Sequence, residues 1–199
     1  AERLYDPLGM TATSSRHADF VSRTNRAALH IKPDGTWQAR LKRDADAQAP
    51  AGGVSSSARD LAQWLRLELG KGKYEGRQLI AAEAIAETHV PLMTRGDNPV
   101  TGSASFYGLG WNVEFGRYGL MWGHAGAFSV GARTLVSIYP KSDLGLIILS
   151  NAFPTGVPEG IADSFADLVF AGNVTRDWIT PWNAAYDALF GPAAAAVRK

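Results

Sequence analysis

YGLGWNVEFGRYGLMWGHAGAFSVGARTLVSIYPKSDLGLIILSN, residues 107–151, is the part of the chain from which its architecture follows most directly. Tyr107 to Glu114 is aromatic and β-branched in character, Gly116 can turn the chain, and Gly119 to Gly123 supplies a partner, so the spacing predicts a hairpin. Val130 to Tyr139 is a further β-favouring run, Pro140-Lys141-Ser142-Asp143 a turn, and Leu144 to Ser150, almost wholly apolar, reads as a strand buried on both faces. Three to four consecutive antiparallel strands result.

Helices flank this region. Ser57-Ala58-Arg59-Asp60 resembles a capping box, and Leu61, Trp64, Leu65 and Leu69 recur at helical spacing before Gly70, which predicts an amphipathic helix over 57–69. A second helix is expected from Ala81 to Thr88, closed by Pro91. Downstream, Ile161, Phe165, Leu168 and Val169 mark one helical face that can cover the sheet. Arg16 to Pro50 is polar and irregular, and Tyr74 to Arg77 reads as a polar turn. The expected fold class is α+β: a partial helical lobe, then an antiparallel sheet lobe covered by a C-terminal helix. Residues 1–175 form the domain and 176–199, rich in Trp, Pro and Ala, a tail or linker.

Composition narrows the function. The chain has 199 residues, 46% hydrophobic and 20% charged, enough for one core of domain size. Lys and Arg number 20 against 19 acidic residues, so no global field draws the chain to nucleic acid or an anionic membrane. The absence of cysteine excludes disulfides, thiolate metal sites and a Cys nucleophile. No apolar run approaches the roughly 20 residues of a membrane-spanning helix. The opening residues lack the pattern of a signal peptide. His17, His30 and His89 show no metal-binding spacing and are explained by surface polarity; neither metal nor organic cofactor is expected.

Within Trp122-Gly123-His124-Ala125-Gly126-Ala127, the glycines let a ligand approach the backbone. An N–H beside them can hold a developing oxyanion while the imidazole donates a hydrogen bond or helps proton transfer. A surface histidine in a turn is the competing reading. Trp64 and Trp111, at periodic positions, are expected in the core. Ala127-Phe128-Ser129-Val130-Gly131 resembles a relaxed nucleophile elbow, but that motif requires a helix after the serine, and a strand is predicted there.

Several separated segments, in order, resemble the serine β-lactamase-like family of class C β-lactamases, penicillin-binding proteins and esterases. They are Asp6 to Thr13, Pro50 to Ala62, Tyr107-Gly108-Leu109-Gly110-Trp111, Gly123-His124-Ala125-Gly126, and Tyr139-Pro140 through Asn151. The resemblance identifies His124-Ala125-Gly126 with the family's third motif, Lys-Thr-Gly or His-x-Gly. It implies that His124 orients substrate and supports proton movement, that Gly126 leaves room for the acyl group, and that the Ala127 N–H forms half of an oxyanion hole. Tyr107 and Gly52 are implied in substrate binding. Asn151 is implied in contact with a substrate carboxylate, although a strand-end Asn is equally a turn former. Gly52 stands where class C β-lactamases tend to carry a tyrosine, which implies a wider cleft and favours ester or peptide substrates over β-lactams.

The family's other two motifs, Ser-x-x-Lys and Tyr-x-Asn or Ser-x-Asn, occur nowhere in the chain. Both would precede Asp6, so the expectation is the C-terminal part of a serine hydrolase that acts through an acyl-enzyme on an amide, ester or β-lactam. By itself this part is expected to be inactive. Its expected partners are a small-molecule or peptide substrate and the missing N-terminal segment, and the family resemblance implies a periplasmic or secreted location. The alternative is a binding or structural relative that keeps the fold without the chemistry.

Overall fold

The computed structural model describes residues 1–196. After an irregular start come the short helices α1 (His17–Ser22) and α2 (Ala49–Gly52), then α3 (Ala58–Leu69), a two-strand ribbon β1 (Lys73–Tyr74) and β2 (Arg77–Gln78), and α4 (Ala82–Thr88). The remaining strands are β3 (Met93–Asp97), β4 (Ala104–Tyr107), β5 (Asn112–Gly116), β6 (Gly119–Phe128), β7 (Ala132–Tyr139) and β8 (Leu144–Ser150), followed by α5 (Val157–Ala171) and α6 (Ile179–Ala196). Strands β3 to β8 form one antiparallel sheet in chain order. Helix α3 packs on one face, and α5 with α6 on the other.

Helix α3 forms as its sequence predicts. The Ser57 hydroxyl accepts from the Asp60 N–H at 3.1 Å and so satisfies one of the free donors of the first turn. Asp60 is itself buried and accepts from Ala12 N at 2.8 Å and Thr13 Oγ1 at 2.7 Å, which moors the N-terminal segment to the helix. Leu8 and Met10 of that segment close over Leu67. On its sheet side Leu65 meets Trp111 and Ile138. A methyl at Gly145 of β8 would lie 2.9 Å from Leu65, so the glycine permits this approach.

The structure corrects several expectations. The run Tyr107 to Glu114 is two strands, because the chain turns between them: Gly108 N–H donates to Trp111 O at 2.8 Å, and Gly110 takes φ +83°. With the exposed β3 added, the sheet has six strands. Strand β8 is not buried on both faces; it is the last strand, and Leu149 is 40% exposed. Helix α5 covers the sheet with a different face from the one predicted. Ile161, Leu168 and Val169 are exposed, while Glu159, Ala166 and Asp167 are buried. The reason is polar. Glu159 pairs with the buried Arg133 of β7. Asp167 accepts from Arg117, Tyr118, Trp178 and both the N–H and hydroxyl of Thr175. Burial alone would raise the Asp167 pKa, but these donors outweigh it and hold the carboxyl below the usual range. Of residues 176–199, read as a tail or linker, Ile179 to Ala196 form α6 against α5, and 197–199 lie outside the described residues.

His89 is the other reversal, since it is buried, not a surface histidine. Its ring stacks on Trp122 at 3.7 Å between centroids and leans on Trp111 at 4.9 Å, while Trp111 stacks on Trp64. Glu68 Oε2 lies 3.7 Å from His89 Nε2, and neither atom has a hydrogen-bond partner among the described residues. Burial raises the Glu68 pKa to about 7 and lowers that of His89 to about 4. Between those values both groups are neutral, so this is a desolvated neutral pair and not an ion pair. The Glu68 contribution to stability is complete below its ordinary value of 4.5 and is lost as pH rises through about 7. That of His89 is complete above its ordinary 6.5 and is lost as pH falls through about 4. Glu68→Gln removes the first effect alone. Urea melts are expected to show the variant more stable than the parent at pH 8, by up to about 3 kcal/mol, with the two converging near pH 4.

Candidate active site

The ladder between β5 and β6 ends at Asn112 opposite Gly123, because the chain before Asn112 turns away. The ladder between β6 and β7 continues to Phe128 opposite Ala132. From His124 to Phe128, therefore, β6 has a neighbour on one side only, and its other edge has no ladder partner. His124 was expected at a strand margin; it lies in the middle of the ten-residue β6, and the margin is the lateral edge exposed by the early end of β5.

A concavity of about 500 Å³ opens at this place, lined by Met93, Thr94, Arg95, Tyr107, Asn112, His124 and Ala125. The Tyr107 hydroxyl stands 3.3 Å from His124 Nε2. Arg95 lies 6.0 Å from the centre of the Tyr107 ring and donates to Asn112 Oδ1. Desolvation of the imidazole, and then the positive charge of Arg95, hold the His124 pKa below its ordinary value, although a backbone hydrogen bond at Ala125 acts the other way. A neutral imidazole beside a phenol can pass or accept a proton near neutral pH.

Gly126 lies opposite Thr134 in the ladder, and a methyl there would fall 2.7 Å from Thr134 Oγ1, so no side chain fits without moving that threonine. At the far end of β6, a methyl on Gly52 would come 3.0 Å from the Phe128 ring, and the Arg43 guanidinium covers that ring at 3.9 Å. Gly52 thus stands next to the end of the candidate edge, in contact with the residue that follows Ala127. Asn151 is engaged elsewhere: its Nδ2 donates to Ala28 O at 2.8 Å and meets His30 Nδ1 at 3.1 Å, clasping the 28–30 segment to the end of β8. The structure brings Tyr107 and His124 into contact and places Gly126, Ala127 and Gly52 along the same edge. Ser129 lies in the turn between β6 and β7, with no helix after it.

Arg95 and Asn112 escaped the sequence reading. Met93 to Asp97 has no alternation of apolar and polar residues to reveal a strand, and Asn112 fell inside a run read for packing. A second concavity, of about 480 Å³, lies between the sheet and helices α5 and α6. Glu114 and Asp163 face it, both with pKa values raised by burial. Among the described residues no group of three or more His, Cys, Asp or Glu is placed to hold a metal, and no helix is long and apolar enough to cross a membrane.

The β-lactamase family model matches residues 1–170. The chain belongs to the β-lactamase family. Its fold matches the structure of the octameric penicillin-binding protein homologue from Pyrococcus abyssi, with a TM-score of 0.70 and 20% sequence identity, over 88% of this chain. This β-lactamase-family chain spans 38% of that protein's length. No curated protein matches it in sequence.

The His124 environment is open to measurement. In an NMR titration the His124 ring is expected to protonate below 6.5, the ordinary histidine value, and Arg95→Gln is expected to raise its midpoint by removing a nearby positive charge.

Proposed function

We propose that the complete protein is a serine hydrolase that works through an acyl-enzyme, with the nucleophilic serine and its lysine supplied by sequence upstream of this chain. The observation that carries this reading is the unpaired edge of β6 at His124 to Phe128, beside a concavity that holds the Tyr107–His124 contact. An extended edge suits an acyl substrate, because backbone N–H and C=O groups can grip the substrate's carbonyl and amide as a neighbouring strand would. In this reading the Ala127 N–H receives the carbonyl oxygen as negative charge develops on it, Gly126 leaves space above the strand, and His124 with Tyr107 supports proton movement near the leaving group.

The substrate class we favour is an ester or a peptide. Gly52 lies against Phe128, so a tyrosine at that position would have to displace the ring. The second reading is a binding protein that keeps the fold without acyl transfer, and the two are distinguished by whether the upstream sequence carries Ser-x-x-Lys.

Full-length protein incubated with a fluorescent penicillin and with a chromogenic ester is expected to form a covalent adduct or to turn the ester over. His124→Ala is expected to lower turnover by about 10²-fold or more. Absence of both label and turnover would leave the binding reading.

A further inference from the structure

We infer that Arg133 is a positioning residue for the proposed oxyanion site: its buried guanidinium, held by Glu159 and Tyr186, fixes the Gly126–Ala127 peptide so that the Ala127 N–H points out of the open edge of β6. This inference rests on the reading of that edge as the acyl-binding edge.

Arg133 is 1% exposed and lies opposite Ala127 in the ladder, on the face of the sheet covered by α5 and α6. A single nitrogen, Nη1, donates to Gly126 O at 3.0 Å and also to Thr134 O. Gly126 and Thr134 are ladder partners. In an antiparallel pair, opposed residues either aim their N–H and C=O groups at each other or aim them at opposite outer sides. One nitrogen cannot reach two carbonyls on opposite outer sides, so both lie between β6 and β7. No cis peptide is present among the described residues, and in a planar trans peptide the N–H points opposite to the C=O. The N–H of Ala127, which shares its peptide plane with the Gly126 carbonyl, therefore points away from β7, to the side where β5 has already ended. The guanidinium does more than orient. A cation on the carbonyl draws charge from the peptide and strengthens its N–H as a donor.

The guanidinium is in turn held from below. Its other terminal nitrogen, Nη2, meets the Tyr186 hydroxyl of α6 and the Glu159 carboxylate of α5, and Tyr186 donates to Glu159 Oε1 at 2.7 Å. Through Arg133, residues of two helices thus bear on the direction of one donor of the open edge. A purely structural ion pair would need only Glu159. The donation to Gly126 O is the additional contact, and it falls on one of the few peptides in the chain where direction matters to the proposed chemistry.

The test uses full-length protein. With a chromogenic ester, Arg133→Met is expected to lower kcat by about tenfold or more while KM stays within about twofold, as befits a partial loss of an oxyanion donor. Arg133→Lys, which keeps the charge but not the planar fork, is expected to recover only part of the rate. A second readout does not require activity or the Arg133 variants. The chain contains two Gly–Ala peptides, 126–127 and 131–132. Labelling with carbonyl-13C glycine and 15N alanine makes both visible by NMR. In Glu159→Gln and in Tyr186→Phe, both distant in sequence from these peptides, the 126–127 signal is expected to move and the 131–132 signal to stay. An unmoved 126–127 signal in both variants overturns the inference, as does an Arg133→Met enzyme with parental kcat. Parental protein that neither turns over the ester nor is labelled by the penicillin removes the acyl-enzyme reading instead, and the peptide signals then still decide whether Arg133 orients that N–H.

Discussion

A charged group carried beneath a sheet must find its counter-charge and its hydrogen bonds there, and this requirement organises the sheet lobe. Desolvating a guanidinium or a carboxylate costs several kcal/mol per ion unless the protein replaces the water it loses. Arg133 and Asp167 are both buried to within 1% exposure, one on the sheet and one on the helix above it. Each demands particular partners at particular places: Glu159 and Tyr186 for the first, Arg117, Tyr118, Thr175 and Trp178 for the second. Hydrophobic contact would let α5 rotate at little cost. These polar contacts do not, and they turn its apolar stripe of Ile161, Leu168 and Val169 outward.

The opposite face of the sheet is held in another way. Leu65, Trp111 and Ile138 form an apolar contact that tolerates small adjustments, and the stacked Trp64, Trp111, His89 and Trp122 rings extend it towards α4. The glycine at 145 sets how close α3 can come. Between the two faces, the turn at Gly108 to Trp111 stops β5 early. That local event has the largest consequence for chemistry, because an edge in the middle of a sheet is a place where backbone donors are unpaired yet rigidly held. Edges of this kind are normally a liability. Here the edge is short, lies beside Tyr107 and Arg95, and is supported from below by the Arg133 network.

Much of the fold was legible because its signals are local. The capping of α3 by Ser57, the apolar recurrence of its residues, the β-rich runs of β7 and β8 and the Pro140 turn depend on neighbours within a few positions. The His-Ala-Gly triplet and the Tyr107 segment were also readable, since a motif is a pattern of residue types. Gly52 was noticed for what it lacks, and a methyl there would come 3.0 Å from the Phe128 ring.

The sequence by itself determined helices α3, α4 and α5 and the consecutive antiparallel order of the strands it revealed, though not β3 or α6, because periodicity and turn chemistry act over a single turn or strand. Only the tertiary structure decided where β5 stops relative to β6, which face α5 presents, that His89 is buried, and that Asn151 holds the loop at Ala28. Those outcomes depend on pairing between residues far apart in the chain. A buried arginine with its distant glutamate and tyrosine, or a strand end with its missing neighbour, leaves no periodic trace in the residues on either side.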